Sequence, residues 1–204
     1  MREVAVGGSP RGADPPATIE RMFVLGIDPG LSRCGYGVVT RRGSALSAVA
    51  GGVISSPPSM PLPERLRTLY DELRSLVAEF RPDAVVVERV FFQVNARTAM
   101  ATGQAAGVAL VAAAEAGCEV AQYTSNEVKQ ALVGYGGATK DQVQRMVASV
   151  LGLDEPPRPP DVADALALAA CHLTTGSLRR AVDAATARTG AVPDARAARA
   201  GVDR

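Results

Sequence analysis

The 204-residue chain is 47% hydrophobic and 21% charged, and 22 Lys and Arg against 21 Asp and Glu give a net charge of +1. Three Cys without a Cys-x-x-Cys spacing exclude a disulfide framework and disfavour a structural zinc site. No apolar run approaches the roughly 20 residues of a membrane span, and the first residues lack the apolar core of a secretion signal. We therefore expect a soluble, cytoplasmic protein, and its near-neutral charge gives no argument for or against nucleic acid.

The two ends of the chain differ in composition from its middle. Residues 1–21 are rich in Gly and Pro without a hydrophobic period, which predicts a disordered extension and makes Met22 a candidate for the true start. Residues 179–204 are rich in Ala and Arg, and we expect a disordered tail with some helix near its start. The folded domain is predicted over residues 22–178.

The first half of this domain shows strand patterns followed by a helical one. Gly-containing turns separate three strand patterns, which predicts a meander, and apolar residues then recur at the 3–4 spacing of an amphipathic helix. A short apolar run after that helix is typical of a strand buried on both faces. These elements are predicted at Phe23–Ile27, Tyr36–Thr40, Leu46–Ile54, Leu62–Phe80 and Ala84–Val87.

The second half is mainly helical. Thr139 and Gln142 have the spacing of a capping box at the start of one of its helices. The order βββαβαβααα predicts an α/β fold with one mixed sheet and helices packed on it. The remaining elements are predicted at Thr98–Ala116, Glu119–Tyr123, Ser125–Val133 and Lys140–Leu151, with a last helix starting near Asp161.

Two glycines stand four residues apart in the predicted helix Thr98–Ala116. Gly103 and Gly107 each cost about 1 kcal/mol in a helix interior relative to Ala, so a packing reason is expected for them. They share one helical face and allow another backbone to approach, either inside the fold or across a dimer. The sequence alone leaves both possibilities open.

Asp28 and Glu88 each stand at the end of a predicted buried strand. A carboxylate at that place is costly to desolvate unless it is paired or binds a cation. Either acid alone fits a turn or a cap. Two such acids in one sheet indicate a site, because neighbouring strand ends bring them together.

Asp161 and Asp164 extend this set from the last predicted helix. Asp161 also fits a helix N-cap, and Asp164 lies three residues on along the same helical face. Four carboxylates are the oxygen ligands that suit Mg²⁺ or Mn²⁺. Two such cations can activate a water and stabilise the leaving oxygen in phosphoryl transfer.

The order of six short segments resembles that of the RuvC-type Holliday junction resolvases. Each segment alone is a weak signal, but six in the same order between about Met22 and Leu173 are specific. The matching segments are Leu25–Gly30, Gly35–Val39, Val87–Phe91, Gly103–Val108, Val128–Gln130 and Asp161–Ala167.

The resemblance implies a ribonuclease H-like fold, with a five-stranded mixed sheet flanked by helices, and a homodimer. It implies an endonuclease that resolves four-way (Holliday) DNA junctions by paired symmetric nicks in homologous recombination and DNA repair. The nicks leave 5′-phosphate and 3′-hydroxyl ends. The reaction is expected to use Mg²⁺, with two ions per subunit and Mn²⁺ as a substitute, and the RuvA-RuvB branch-migration complex is the expected partner.

The resemblance also assigns roles to single residues. Phe91 matches an aromatic near the junction, and Lys129 and Lys140 match basic residues that contact DNA. These are the only two Lys in the chain and they flank the glycine-rich segment 134–137, so both can face one groove. Some family members have His at the position of Asp161. The catalytic and metal-binding carboxylates of the family correspond to Asp28, Glu88, Asp161 and Asp164.

Three other functions are less favoured by the residues. They are an ATPase of the actin-like fold, a junction-binding module without catalysis, and a ribonuclease H-like nuclease that acts on RNA. The only His, His172, lies two turns beyond Asp164 and is expected to be a packed helix residue rather than a base.

Overall fold

The computed structural model describes residues 21–89 and 96–189. Within these residues the ten elements occur in the predicted order, and no helix is long and apolar enough to cross a membrane. The strands are β1 (Met22–Asp28), β2 (Arg33–Arg42), β3 (Ala45–Ser55), β4 (Ala84–Glu88) and β5 (Glu119–Tyr123). The helices are α1 (Leu62–Phe80), α2 (Ala96–Glu115), α3 (Ser125–Val133), α4 (Lys140–Leu151) and α5 (Pro160–Thr189).

The five strands form one mixed sheet in the order β3-β2-β1-β4-β5. Strands β1, β2 and β3 pair antiparallel as the predicted meander, whereas β4 is parallel to β1 and β5 is parallel to β4. Asp28 stands opposite Gly35, and Ile27 stands opposite Val87. The ends of β1 and β4 therefore lie side by side at one edge of the sheet.

The sheet is covered on both faces, because successive side chains of a strand point to opposite sides. Leu25 and Val85 belong to a buried cluster with residues of α1 and α2. Val24 and Val86 belong to a second cluster with residues of α3, α4 and α5. This two-sided burial explains why the sequence of β4 is a continuous apolar run rather than an alternating one.

Helix α5 lies directly on glycines of the sheet. A Cβ atom added at Gly26 would overlap the carbonyl oxygen of Ala165. A Cβ atom at Gly35 would overlap the carbonyl oxygen of Asp161 in the same way. At Gly37 the added atom would lie 2.7 Å from the side chain of Leu166. The missing side chains thus let the first half of α5 approach the strands closely, and this approach fixes the height of its first turn above the sheet.

The chain divides into two compact units, Met1–Thr174 and Thr175–Arg204. In the second unit the chain stays helical as far as Thr189, so residues 179–189 are the helix expected near the start of the tail. High helix propensities of Ala and Arg favour this helix. The rest of that tail, from residue 190, and residues 1–20 of the predicted extension lie outside the described residues.

The contact between α5 and the sheet predicts a strong effect of one added methyl group. We expect Gly26→Ala to lower the free energy of unfolding by about 3 kcal/mol. The new Cβ would overlap backbone atoms of α5, which cannot move without displacing the helix. Urea denaturation of both proteins measures the difference. Gly136→Ala is the matched control. Its Cβ would have only the Gln130 side chain nearby, at 3.9 Å, and a change within about 0.5 kcal/mol is expected. Equal losses in both variants would contradict the proposed close contact.

Candidate functional site

Strand alternation brings Asp28 and Glu88 to the same face of the sheet. Val24 and Gly26 of β1 point toward α5, and the alternation puts Asp28 on that side as well. In β4, Val86 faces the same side, so Glu88 does too. The two acids end adjacent strands, as the sequence predicted, and these strands are parallel.

Helix α5 supplies Asp161 and Asp164 above this edge. The helix begins at Pro160, where a missing N–H costs nothing. The side chains of Asp161 and Asp164 are 25% and 29% exposed, so both are largely enclosed without being sealed from solvent. Their positions follow from the contact of α5 with the glycines, because Gly35 lies directly beneath Asp161.

Three of the four predicted acids line one cavity of about 380 Å³. Helices α3 and α4 form the other wall, where both lysines of the chain project into the same space. The cavity therefore has an acidic wall and a basic wall, which suits a ligand that combines cations with a polyanion. Its lining consists of Asp28, Glu88, Asp164, Lys129, Lys140, Ser125, Val128, Val143, Ala167 and Leu168.

Burial and mutual repulsion shift the protonation of the acids. Burial, and then the negative charges of Glu88, Asp164 and Asp161, raise the pKa of Asp28 to about 7. The pKa of Glu88 is also raised, first by burial and then by Asp164, although a hydrogen bond with Asp28 opposes this. The protein side chains around Asp28 thus supply too little positive charge to balance the acids.

Two basic side chains neutralise the acids of α5. Lys140 Nζ lies 2.6 Å from Asp164 Oδ2, and this bond raises the pKa of Lys140. Arg33, at the start of β2, donates from Nη2 to Asp161 Oδ2 at 2.8 Å. Burial acts to raise the pKa of Asp161, but the hydrogen bond from Arg33, a backbone hydrogen bond and the charges of Arg33 and Lys140 together lower it.

The structure separates the predicted residues into three groups. Asp28, Glu88 and Asp164 share the cavity with the two lysines, whereas Asp161 is not part of its lining and lies beside it, bonded to Arg33. Phe91 lies outside the described residues.

Arg33 was missed by sequence reasoning, because in an arginine-rich chain a single Arg gives no signal. The predicted strand also began only at Tyr36. In the structure Arg33 belongs to β2, precedes Gly35 by two residues and therefore shares its face.

The remaining polar candidate is structural. His172 is 2% exposed, and its Nδ1 lies 3.1 Å from the hydroxyl of Tyr123 in β5. This burial against the sheet confirms the expectation of a packed helix residue.

The donor set fits a hard divalent cation, although it is not arranged as a finished cage. Among residues 21–89 and 96–189, no three acidic, histidine or cysteine side chains already converge as metal ligands. Two of the acids are instead bonded to Lys140 and Arg33. The raised pKa of Asp28 nevertheless marks a place where added positive charge is favourable, and carboxylate oxygens suit Mg²⁺ or Mn²⁺.

The five-stranded mixed sheet of this order, flanked by helices, is the ribonuclease H-like fold, and acids at two neighbouring strand ends and on the last helix suit a nuclease of this class. The family model described as crossover junction endodeoxyribonuclease RuvC matches residues 24–172. The chain belongs to the RuvC family of crossover junction endodeoxyribonucleases. Nucleases of this family are metal-dependent.

Relatives and solved structures agree with this assignment. The RuvC of Alkaliphilus oremlandii is 47% identical over 156 residues, which cover 76% of this chain and 95% of the relative. For Salinispora arenicola the identity is 53% over 168 residues, covering 82% and 96%. The RuvC structure of Thermus thermophilus matches with a TM-score of 0.73 and 41% identity, over 77% of this chain and 96% of that one. The yeast mitochondrial Holliday junction resolvase Ydc2, at 12% identity and a TM-score of 0.58, covering 76% of this chain and 78% of its own, shows the shared fold.

The raised pKa of Asp28 predicts a pH-dependent stability in the metal-free protein. The carboxyl is stabilising when protonated. This contribution is complete below the unfolded value of 3.8 and is lost as the pH rises through about 7. In EDTA we expect Asp28→Asn to match the wild type near pH 4 and to exceed it at pH 8, by an amount on the order of 4 kcal/mol.

Denaturant unfolding at several pH values in EDTA measures this difference. The control is Asp154→Asn, which changes an exposed acid outside the site and should follow the wild type at every pH. If the free energy of unfolding of the wild type and of Asp28→Asn changed with pH in the same way, the pKa of Asp28 would not be raised by its surroundings.

Proposed function

We propose that this protein resolves four-way (Holliday) DNA junctions by paired symmetric nicks, through phosphodiester hydrolysis with Mg²⁺, two ions per subunit. The main support is the cavity in which three acids face both lysines of the chain. Membership of the RuvC family and the 39% identical T. thermophilus RuvC solved in complex with Holliday junction substrate (TM-score 0.71) support the choice of DNA. The corresponding role is in recombination and repair.

The residues proposed to hold the cations are Asp28, Glu88, Asp161 and Asp164. Divalent cations at such a site lower the pKa of a water and stabilise the leaving oxygen of the phosphodiester. The protein holds the carboxylates close together on a rigid sheet edge, where their repulsion favours cation binding over an empty site. Asp28 must be ionised to act, and added positive charge shifts it toward that form.

Lys129 and Lys140 are proposed to bind DNA phosphates from the opposite wall. Lys140 is bonded to Asp164, and cation binding at that acid would release its ammonium toward the DNA backbone. Lys129 lines the same cavity. Phe91 remains a proposed junction contact on the strength of the family pattern, since an aromatic ring near the junction can stack on a base. Action in the cytoplasm beside the RuvA-RuvB complex is likewise proposed from the resemblance.

A cleavage assay tests the activity and the acid set together. Wild-type protein is incubated with a labelled mobile four-way junction and with a matched linear duplex, in Mg²⁺ and in EDTA. We expect paired symmetric nicks on the junction alone, and none in EDTA. Asp28→Asn and Glu88→Gln should reduce the rate by roughly 10³-fold or more, because each removes a charged oxygen ligand.

Asp154→Asn is the matched control and should cleave within about twofold of the wild type. Junction binding without any nicking, in Mn²⁺ as well as Mg²⁺, would favour a binding-only module. Equal cleavage of the linear duplex or of RNA would contradict the proposed specificity for four-way junctions, and it would not bear on the fold.

We propose that the enzyme acts as a homodimer and that the open face of α2 forms its interface. An added Cβ at Gly103 or Gly107 would meet nothing within 4 Å, so these glycines do not serve packing within the described residues. Met100 and Val111 are 60% and 53% exposed on the same helix. A two-fold dimer would present two sites, as two symmetric cuts require.

Val111→Glu tests this interface. A charge at the centre of an apolar contact should raise the dissociation constant of the dimer at least about tenfold, as measured by analytical ultracentrifugation. Val120→Glu, which changes another exposed valine outside α2, should leave the dimer intact. An unchanged dissociation constant for Val111→Glu would show that the interface does not include this face of α2.

A further inference from the structure

Arg33 occupies a place that the strand geometry makes special. Its side chain and Gly35 share one face of β2, since they are two residues apart, and Gly35 lies directly beneath Asp161. Arg33 therefore emerges beside the first turn of α5. Its Nη2 reaches Asp161 Oδ2 at 2.8 Å across 128 residues of sequence.

The two partners of this ion pair differ in exposure. The Arg33 side chain is 52% exposed, whereas that of Asp161 is 25% exposed. A guanidinium has five N–H donors. Within the described part of the chain, the side chain of Arg33 donates a hydrogen bond to Asp161. A half-exposed pair of this kind is weak, so a divalent cation can replace the guanidinium at the carboxylate.

Cation binding and the Arg33 bond compete for the same oxygens. A cation held by Asp161 would repel the guanidinium, and the nearest new negative charge in a nuclease groove is a DNA phosphate. Arg binds phosphate well, because its planar fork can donate two parallel hydrogen bonds. Lys140 and Asp164 form a parallel arrangement at the other acid of α5.

We propose that Arg33 is a positioning residue that holds Asp161 in the metal-free protein and exchanges it for a DNA phosphate when a divalent cation binds. This inference rests on the proposed function, because it needs both a cation at the acids and DNA in the groove. It adds a residue from β2 to the DNA-binding surface.

Two binding measurements on Arg33→Gln test the exchange. The affinity of the metal-free protein for Mn²⁺, measured by electron paramagnetic resonance without DNA, should increase about fivefold, because a competitor for Asp161 is gone. Junction affinity, measured by fluorescence anisotropy in Ca²⁺, should fall roughly tenfold, with a salt dependence shallower by about one phosphate contact. Arg33→Lys keeps the charge without the planar fork and should recover only part of the junction affinity.

The opposite signs of the two effects distinguish exchange from a structural role, which would weaken both affinities. Arg42→Gln is the control. It changes an arginine at the other end of the same strand, paired with Ala45 far from Asp28, and should change neither value. Unchanged or weaker Mn²⁺ binding by Arg33→Gln would overturn the exchange while wild-type cleavage still stands. A wild type that neither binds Mn²⁺ nor cleaves the junction would overturn the proposed function, and the exchange with it.

Discussion

The close contact between α5 and the sheet is the constraint on which the site depends. Two of the four acids belong to strands and two belong to a helix that crosses them. Their separation is therefore set by how near the helix can come. Gly26 and Gly35 have no side chains that would hold α5 away from the sheet. An acid cluster of this kind needs no special loop, because the packing of a helix on a sheet is sufficient to assemble it.

This assembly has an electrostatic cost within the folded state. Carboxylates that are brought together resist ionisation, as the raised pKa values of Asp28 and Glu88 record. The protein reduces the cost with one basic side chain on each acid of α5. These ion pairs are partly exposed and therefore weak, so they neutralise the acids without holding them strongly.

Local patterns in the sequence were sufficient for most of the fold and for the acids. The periodicity of α1, the apolar run of β4 and the capping box at Thr139 each depend on neighbours within a few residues, and all appear where predicted. The acids were visible because a charge at the end of a buried strand is rare. The family pattern then predicted one site for all four, and three of them line one cavity.

What the sequence could not show depends on distant contacts. Strand β2 begins at Arg33, three residues before the predicted start at Tyr36. The sequence did not predict these residues as strand because Gly is a poor strand former. Glycine is needed at position 35 because of the contact with α5, which only the structure shows. The bond between Arg33 and Asp161 joins residues 128 positions apart, and only the three-dimensional fold brings them together. The end of α5 was not predicted for a different reason, since a tail rich in Ala and Arg fits both a helix and a disordered chain.

The buried bond between His172 and Tyr123 has a consequence for the orientation of α5. It joins the helix to β5 about three turns beyond Asp161. A rotation of the helix by one residue, about 100°, would break this bond and at the same time turn Asp161 and Asp164 away from the sheet edge. The angular setting of α5 is therefore specified at two separate points along its axis, and misfolded registers of the helix lose a buried polar contact as well as the acid cluster.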